Sequence, residues 1–495
     1  MALPRTLPSG GAPAHQPPTR ARLILLAACL GLFGVSFSMN VLAVALPSLQ
    51  TSLHASAAEL AWVVDAYTLA LGSLLLTAGW AADRLGRRRV LLLGLAVFAA
   101  GSLLSALAPD AALLIAARVV AGIGGSALIP ASLSIVVHTY TEPAARAKAI
   151  GTWAASIGAA LALAPLIGGV LVTLWGGRAA FWATAALGFA ALIFGRAVLP
   201  ESTGTERSGA DLPGQILGIL LAAGVIFPII EGARLGWHSL AEVVLIAADV
   251  ALATAFVRTE RRARHPLLPL RHFRDRRFSA AAGVIFLMSV AYMTYSVINP
   301  LFLQSLRGES PALAGLTMLP AAVPPLTLSA TAGRLAHKLG PTPILTFGSA
   351  SLTIGMLILA FCTPHTGIWL LVASYLLVGN GLAFLNAPAN SVAVARIGPS
   401  NAGLSSAILT SARQLAGALG VAVSAVLLPH GASARTGKAV GLVGLHQTYF
   451  VLFLVALAAT LACATAFRTA GAGRHTRPNP ESKTGPRPYD GITVR

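Results

Sequence analysis

The apolar residues of this chain fall into runs of about 20 or more, each long enough to cross the roughly 30 Å hydrocarbon core of a bilayer as a helix. Read against charged, Pro and Gly interruptions, the spans lie near 22–46, 57–82, 89–108, 111–137, 147–174, 179–199, 213–231, 239–257, 279–303, 312–334, 343–362, 367–393, 402–428 and 446–468. Hydrophobic residues make up 56% of the 495 positions and charged residues 10%, so a soluble fold would lack the polar surface to cover itself. The runs show no alternation of period two, and backbone groups in lipid must be satisfied within their own segment, which favours helices over barrel strands. The expected fold class is therefore an all-α membrane protein with 14 transmembrane helices.

Charge orients these spans. With both termini in the cytoplasm, 28 of the 35 Lys and Arg residues fall on the cytoplasmic side of the inner membrane. Arg178, Arg234, Arg307, Arg435 and Lys438 fall outside, and Arg118 and Arg413 fall within spans. Positive-inside bias selects that topology. The net charge of +19 does not form one basic patch with interleaved aromatics, so no nucleic-acid partner is expected. Cys29, Cys362 and Cys463 all lie in apolar segments without metal-ligand spacing, which argues against both a disulfide framework and a metal site. Residues 1–21 and 471–495 are polar and Pro-rich, and are expected to be disordered cytoplasmic arms.

The chain contains an internal repeat. Gly79-Trp-Ala-Ala-Asp83-Arg84-Leu-Gly86-Arg87-Arg88-Arg89 follows the second span, and Gly333-Arg334-Leu-Ala-His337-Lys338-Leu-Gly340 begins 254 residues later, after the tenth. Arg118-Val-Val-Ala-Gly122-Ile-Gly124 in the fourth span has a counterpart, Tyr375-Leu-Leu-Val-Gly379-Asn-Gly381, 257 residues on. Two matches at nearly one offset imply duplication into helical halves, an arrangement that places a transport site at the interface between them. The halves are residues 22–199 and 279–470, and 200–278 is a linker with two inserted spans and a basic cytoplasmic loop.

These strings resemble the major facilitator superfamily and, within it, the fourteen-span drug:proton antiporter family of bacterial multidrug and antibiotic exporters. Gly79 to Arg89 is similar to its loop motif and Arg118 to Gly124 to its fourth-span motif. Gly158, Ala164-Pro165 and Gly168-Gly169 are similar to its antiporter signature. Gln304, Gly308, Ser310-Pro311, Gly315, Leu319-Pro320 and Arg413-Gln414-Leu415 extend the likeness into the second half. In the first-span signature Ser38 stands at the usual acidic position and Ala43 at the usual Asn. The resemblance implies two pseudo-symmetric six-helix bundles plus two inserted helices, a small-molecule substrate, protons as coupling ion, a lipid surround, no cofactor and a functional monomer.

With Ser38 in place of an acid, proton coupling falls to Asp65, about 12 Å into the second span, and to Arg118, about 10 Å into the fourth from the same end. A charge at a helix centre costs about 2.5–3.5 kcal/mol, so Arg118 needs a partner, and a direct or water-mediated contact with Asp65 is expected. Gly79, Asp83, Arg84, Gly86, Arg87 and Arg88 are expected to form a cytoplasmic gate motif, with Asp83 capping a helix or pairing with a basic neighbour. Gly151, Gly158, Pro165, Gly168 and Gly169 should give the fifth span a close, bendable seam. Trp62, Tyr67, Trp153, Tyr292, Tyr295, Phe384, Asn386 and Asn390 are candidate cavity-lining residues, because rings and amides suit a broad, partly apolar site. Asp249, in the eighth span, is expected to make a structural hydrogen bond.

The leading function is proton-driven export of a drug, antibiotic or related metabolite, with neutral or anionic substrates favoured by the scarcity of cavity carboxylates. The alternatives are export of an endogenous metabolite or lipid, or a nontransporting membrane sensor. An enzyme is not expected, since no His-Glu-x-x-His or paired catalytic carboxylates occur at helical spacing.

Overall fold

The computed structural model describes residues 18–200, 212–236, 239–263, 273–397, 402–427 and 437–468. The terminal arms apart from residues 18–21, and most of the basic loop, lie outside the described residues. The helices are α1 (Pro18–Leu53), α2 (Ala57–Leu85), α3 (Arg87–Leu107), α4 (Ala111–Thr139), α5 (Pro143–Trp175), α6 (Ala179–Val198), α7 (Leu212–Leu235), α8 (Leu240–Arg262), α9 (Arg276–Leu301), α10 (Pro311–Met318), α11 (Val323–Leu339), α12 (Pro341–Ala360), α13 (Ile368–Ile397), α14 (Ala402–Leu427) and α15 (Gly437–Arg468). Among the described residues thirteen helical spans are long and apolar enough to cross a membrane, and α14 adds a shorter apolar stretch, Ile408–Ser424. This is a multi-pass membrane protein.

Local chemistry sets the helix ends. Ser56 caps α2 reciprocally with Glu59, Asp110 accepts from the Leu113 amide at the start of α4, and Ser310 caps α10 ahead of Pro311. The tenth span is one path in two helices, because Pro320 tightens Leu319–Ala321 into a 3-10 turn between α10 and α11. The two copies of the loop motif fold alike: α2 turns into α3 at Gly86 (φ 104°) and α11 into α12 at Gly340 (φ 86°). A side chain at either position would strain the backbone. The two faces of the bundle are named below by the turns at Gly86 and Gly176.

The duplication is visible in the packing. Within the first half α1 packs on α5 and α6, α2 on α4, and α3 on α4 and α6; in the second, α9 packs on α14 and α15, α11 on α13, and α12 on α13 and α15. The fourth-span motif explains part of this. Gly122 lies against the Tyr67 backbone of α2 and Gly124 against the Phe98 backbone of α3; Gly379 lies against Ala321 and Gly381 against Leu352 of α12. Each half has a core of its own, around Tyr67, Phe98 and Leu128 in one and Tyr295, Tyr375 and Tyr449 in the other. A third cluster crosses the seam, joining Val41, Leu46 and Leu69 to Val297, Ala418 and Val421.

The halves meet through α2 against α14, α5 against α10, and α1 against α9. The inserted pair α7 and α8 pack on each other, and α7 lies against both α2 and α14 at the seam. Gln215 of α7 donates to the Ser73 carbonyl and bonds Thr77, and the Trp62 indole donates to Glu231 at 3.2 Å. Asp249 of α8 sits with its carboxylate against Gly224 of α7, consistent with a role inside the inserted pair.

Candidate functional site

Arg118 is almost fully buried and satisfied without a carboxylate. Its Nε donates to the Val63 carbonyl and its Nη1 to Ser38 Oγ, both at 3.0 Å. The guanidinium carbon lies 4.2 Å from the Tyr67 ring centroid and 5.9 Å from that of Phe181, within cation–π range. Tyr67 is held by its own bond from Oη to the Val35 carbonyl. Gly122, one turn after Arg118, brings α4 onto the α2 backbone and so carries the guanidinium to Val63.

No direct ion pair or hydrogen bond joins Asp65 to Arg118. The reason is helical phase. Val63 and Tyr67 face α4, and Asp65, two residues from each, points about 200° away. It shares a face of α2 with Gly72, two turns on, whose missing Cβ would strike Gln414 of α14. Asp65 is wholly buried and neither carboxylate oxygen has a hydrogen-bond partner in the protein. The two residues share a depth but occupy different places: Arg118 inside one half, Asp65 on the face turned to the other.

Of the candidate cavity residues, Tyr292 and Tyr295 line a cavity of about 30 Å³ between α1 and α5 of one half and α9 to α11 of the other, with Asn40, Pro165, Ser296 and Met318. A neighbouring cavity of about 20 Å³ is lined by Met39, Thr68, Arg118, Met293 and Gly417. Each has room for about one water. The other rings make packing contacts. Tyr67 lies beneath Arg118, Trp62 packs at a tilt against Phe227 of α7, and Trp153 donates to Ser132 Oγ between α4 and α5. Phe384 packs edge-on to Phe347 of α12. Asn386 accepts from Arg413 Nη1 at 2.6 Å, a half-buried cation on α14. The Asn390 side chain lies outside the described residues.

At the Gly86 end, Asp83 caps no helix; α3 begins on Gly86 without a side-chain cap, and Asp83 pairs with Arg87 at 3.4 Å. Arg84 lies over the Trp80 ring, and Arg88 donates to the Arg196 carbonyl at the end of α6, which ties the turn to its own half. In α5, Gly169 lies against the Pro311 carbonyl and Gly158 against Leu326 of the other half, while Gly168 meets Val41 of α1. Pro165 offers its carbonyl backbone to Gly315. Gly151 has no heavy atom within 4 Å of its Cβ direction and so takes no part in the seam. Gln304 donates to the Val44 carbonyl and the Ala312 amide to Thr173 Oγ1, both at 3.1 Å. Among the described residues, the hydrogen bonds between halves are these two, toward the Gly176 end, and a weak one from Gln414 to Met39 Sδ near mid-depth.

Two matched six-helix bundles with buried polar groups along their seam define the architecture of a secondary transporter. Residues 28–421 match the Major Facilitator Superfamily, and the chain belongs to it. It is 32% identical over 417 residues to the multidrug resistance protein Stp of Mycobacterium tuberculosis (strain CDC 1551 / Oshkosh), covering 82% of this chain and 78% of that one. It is 34% identical to the puromycin resistance protein pur8 of Streptomyces alboniger (80% and 81% covered) and 33% to a methylenomycin A resistance protein of Bacillus subtilis (strain 168) (82% and 87%). Its fold is similar to the crystal structure of a bacterial homolog of the human lysosomal transporter Spinster in an inward-facing conformation, with TM-score 0.66, 18% identity, and 92% and 98% covered.

Proposed function

We propose that this protein exports drug- or antibiotic-like small molecules across the cytoplasmic membrane by proton antiport with alternating access, as a monomer. The observation that carries the coupling step is Asp65, a sealed carboxyl group without hydrogen-bond partners on the α2 face turned to α14. Burying an ionised carboxylate without donors is costly, and a bound proton removes the charge. Separation of the halves exposes the group to water, where it can release that proton. Asp65 thus links protonation to the closing of the seam it occupies, while Arg118, locked to Ser38 and Val63, is a fixed polar node of the first half.

The Gly86 end is the cytoplasmic one, with both termini on that side, supported by the distribution of Lys and Arg. The halves, residues 22–199 and 279–470, rock about seams where Gly158, Gly169 and Gly315 allow close approach. Since the hydrogen bonds described between halves lie at mid-depth and toward the Gly176 end, this arrangement is closed to the outside. The two cavities along the seam are lined by Arg118 and by no carboxylate, which favours neutral or anionic substrates. The Asp83 and Arg87 pair stiffens the cytoplasmic turn that must move with the first half.

The experiment is uptake of puromycin and methylenomycin A, the compounds in the relatives' names, into inside-out vesicles under an imposed proton gradient. Gradient-driven uptake by the wild type, lost in Asp65→Asn with binding retained, is the expected result. Wild-type coupling in Asp65→Asn would remove Asp65 from the mechanism.

A further inference from the structure

An arginine stays protonated in a protein interior, and Arg118 has no carboxylate bonded to it. Its Nε and one N–H of Nη1 are used on the Val63 carbonyl and Ser38 Oγ, both neutral acceptors. The Tyr67 ring face, 4.2 Å away, offsets part of the charge. The N–H groups of Nη2 and the second N–H of Nη1 are left to what lies in front of them.

In front of them is the cavity of about 20 Å³ at the seam. Its walls include Met39, Asn40 and Thr68 from α1 and α2, and Met293, Ser296 and Gly417 from α9 and α14. Arg118 lines it from α4, which stands behind α2 with Gly122 on the Tyr67 backbone. Arg118 therefore reaches the cavity with the end of its side chain, passing between Ser38 of α1 and Val63 of α2. Asn40 adds donor capacity, since one N–H of its Nδ2 is used on the Ser36 carbonyl at 2.7 Å and the other is not. The Thr68 and Ser296 hydroxyls donate to the Val64 and Met293 carbonyls of their own helices, so the cation decides the sign of the cavity. No carboxylate lines it.

We propose that this cavity binds one monovalent anion of chloride size as the counter-ion of Arg118. A buried charge is costly unless it is paired, and such an anion supplies the negative partner that Ser38 and Val63 do not. Room for about one water suits a single-atom anion and excludes the carboxylate of an organic solute, which carries the same charge in a larger group. Because the walls come from both halves, the anion bridges them when the seam is closed, and parting of the halves opens its site to water. The assignment is independent of which compound is exported.

The test is binding of radiolabelled chloride to the purified full chain, read by scintillation proximity, with gluconate replacing chloride at constant ionic strength. Saturable binding, displaced by bromide and not by gluconate, is the expected result, together with a melting temperature that rises with chloride and levels off. Ser38→Asp fixes a negative charge on Nη1. It should weaken chloride binding at least about tenfold and melt alike in chloride and gluconate, while Ser38→Thr, which keeps a neutral hydroxyl, should bind chloride as the wild type does. If Ser38→Asp does not elute as a folded protein, Thr68→Asp sets the charge on the wall of the same cavity; if neither does, the wild type in chloride against gluconate decides alone. Equal melting of the wild type in the two salts with no saturable binding overturns the proposal, as does undiminished chloride binding in a folded variant that carries the charge.

Discussion

Arg118 donates from Nη1 to Ser38 Oγ at 3.0 Å, and Ser38 stands where the related first-span signature carries an acid. The guanidinium is thus held by a neutral hydroxyl, a backbone carbonyl and the Tyr67 ring. Ser38→Ala leaves a buried cationic donor unpaired and should destabilise the protein by about 1–3 kcal/mol. Ser38→Asp supplies a charged acceptor and should retain the wild-type melting temperature or raise it. Thermal unfolding of the detergent-purified variants checks both, and equal melting in Ser38→Ala and wild type would show the bond to be dispensable.

Gly315 of α10 and Gly151 of α5 should separate cleanly. A Cβ on Gly315 would run into the Pro165 backbone across the seam, whereas one on Gly151 meets nothing within 4 Å. Overpacking of this kind costs about 1–3 kcal/mol, and it acts on the closed Gly176 end specifically. Gly315→Ala is expected to cut transport at least about tenfold with normal expression, and Gly151→Ala to stay within about twofold of wild type. Vesicle uptake measures both, and a defect in Gly151→Ala of the same size would point to a partner for it in another conformation.

Closure of the Gly176 end runs through α5 and α10, where the Ala312 amide donates to Thr173 Oγ1. With Cys29, Cys362 and Cys463 replaced, Thr173→Cys and Ala312→Cys joined by a short thiol cross-linker should arrest transport. Cleaving the linker should restore it. Undiminished turnover in the linked protein would mean that these helices do not part during the cycle.

Gly86 turns α2 into α3 at φ 104° and ψ 128°, a region sparsely populated by L residues and strained by roughly 1–3 kcal/mol. Gly86→Ala should therefore lower stability by about that amount. Asp83→Asn, which removes only the partner of Arg87, should slow transport with substrate affinity within about twofold. Melting temperature separates the first effect, and the ratio of turnover to affinity the second. A large loss of affinity in Asp83→Asn would contradict a role in movement.

Much of the fold was legible because membrane helices are specified locally. Span length, the charges flanking each span, and the paired turns at Gly86 and Gly340 all carry their information within a few residues. The duplication, too, is a property of the string: Gly122 with Gly124 and Gly379 with Gly381 perform the same packing in each half. The candidate rings were less legible, because a buried aromatic residue in an apolar helix carries no mark of which neighbour it faces. Tyr292 and Tyr295 reach the cavity between the halves, while Trp62, Trp153 and Phe384 are used in packing.

The sequence by itself determined that this is a chain of membrane-spanning helices with an internal repeat, and with Arg118 and Asp65 at one depth. Depth follows from counting 1.5 Å per residue along each helix. Only the tertiary structure decided what each meets there, because that depends on how α2 is rotated between α4 and α14. The rotation gives Val63 and Tyr67 to Arg118 and turns Asp65 to the opposite face, toward the other half of the molecule. It is fixed by glycine contacts between helices far apart in the chain, Gly122 on Tyr67 and Gly72 on Gln414, and no local pattern specifies these.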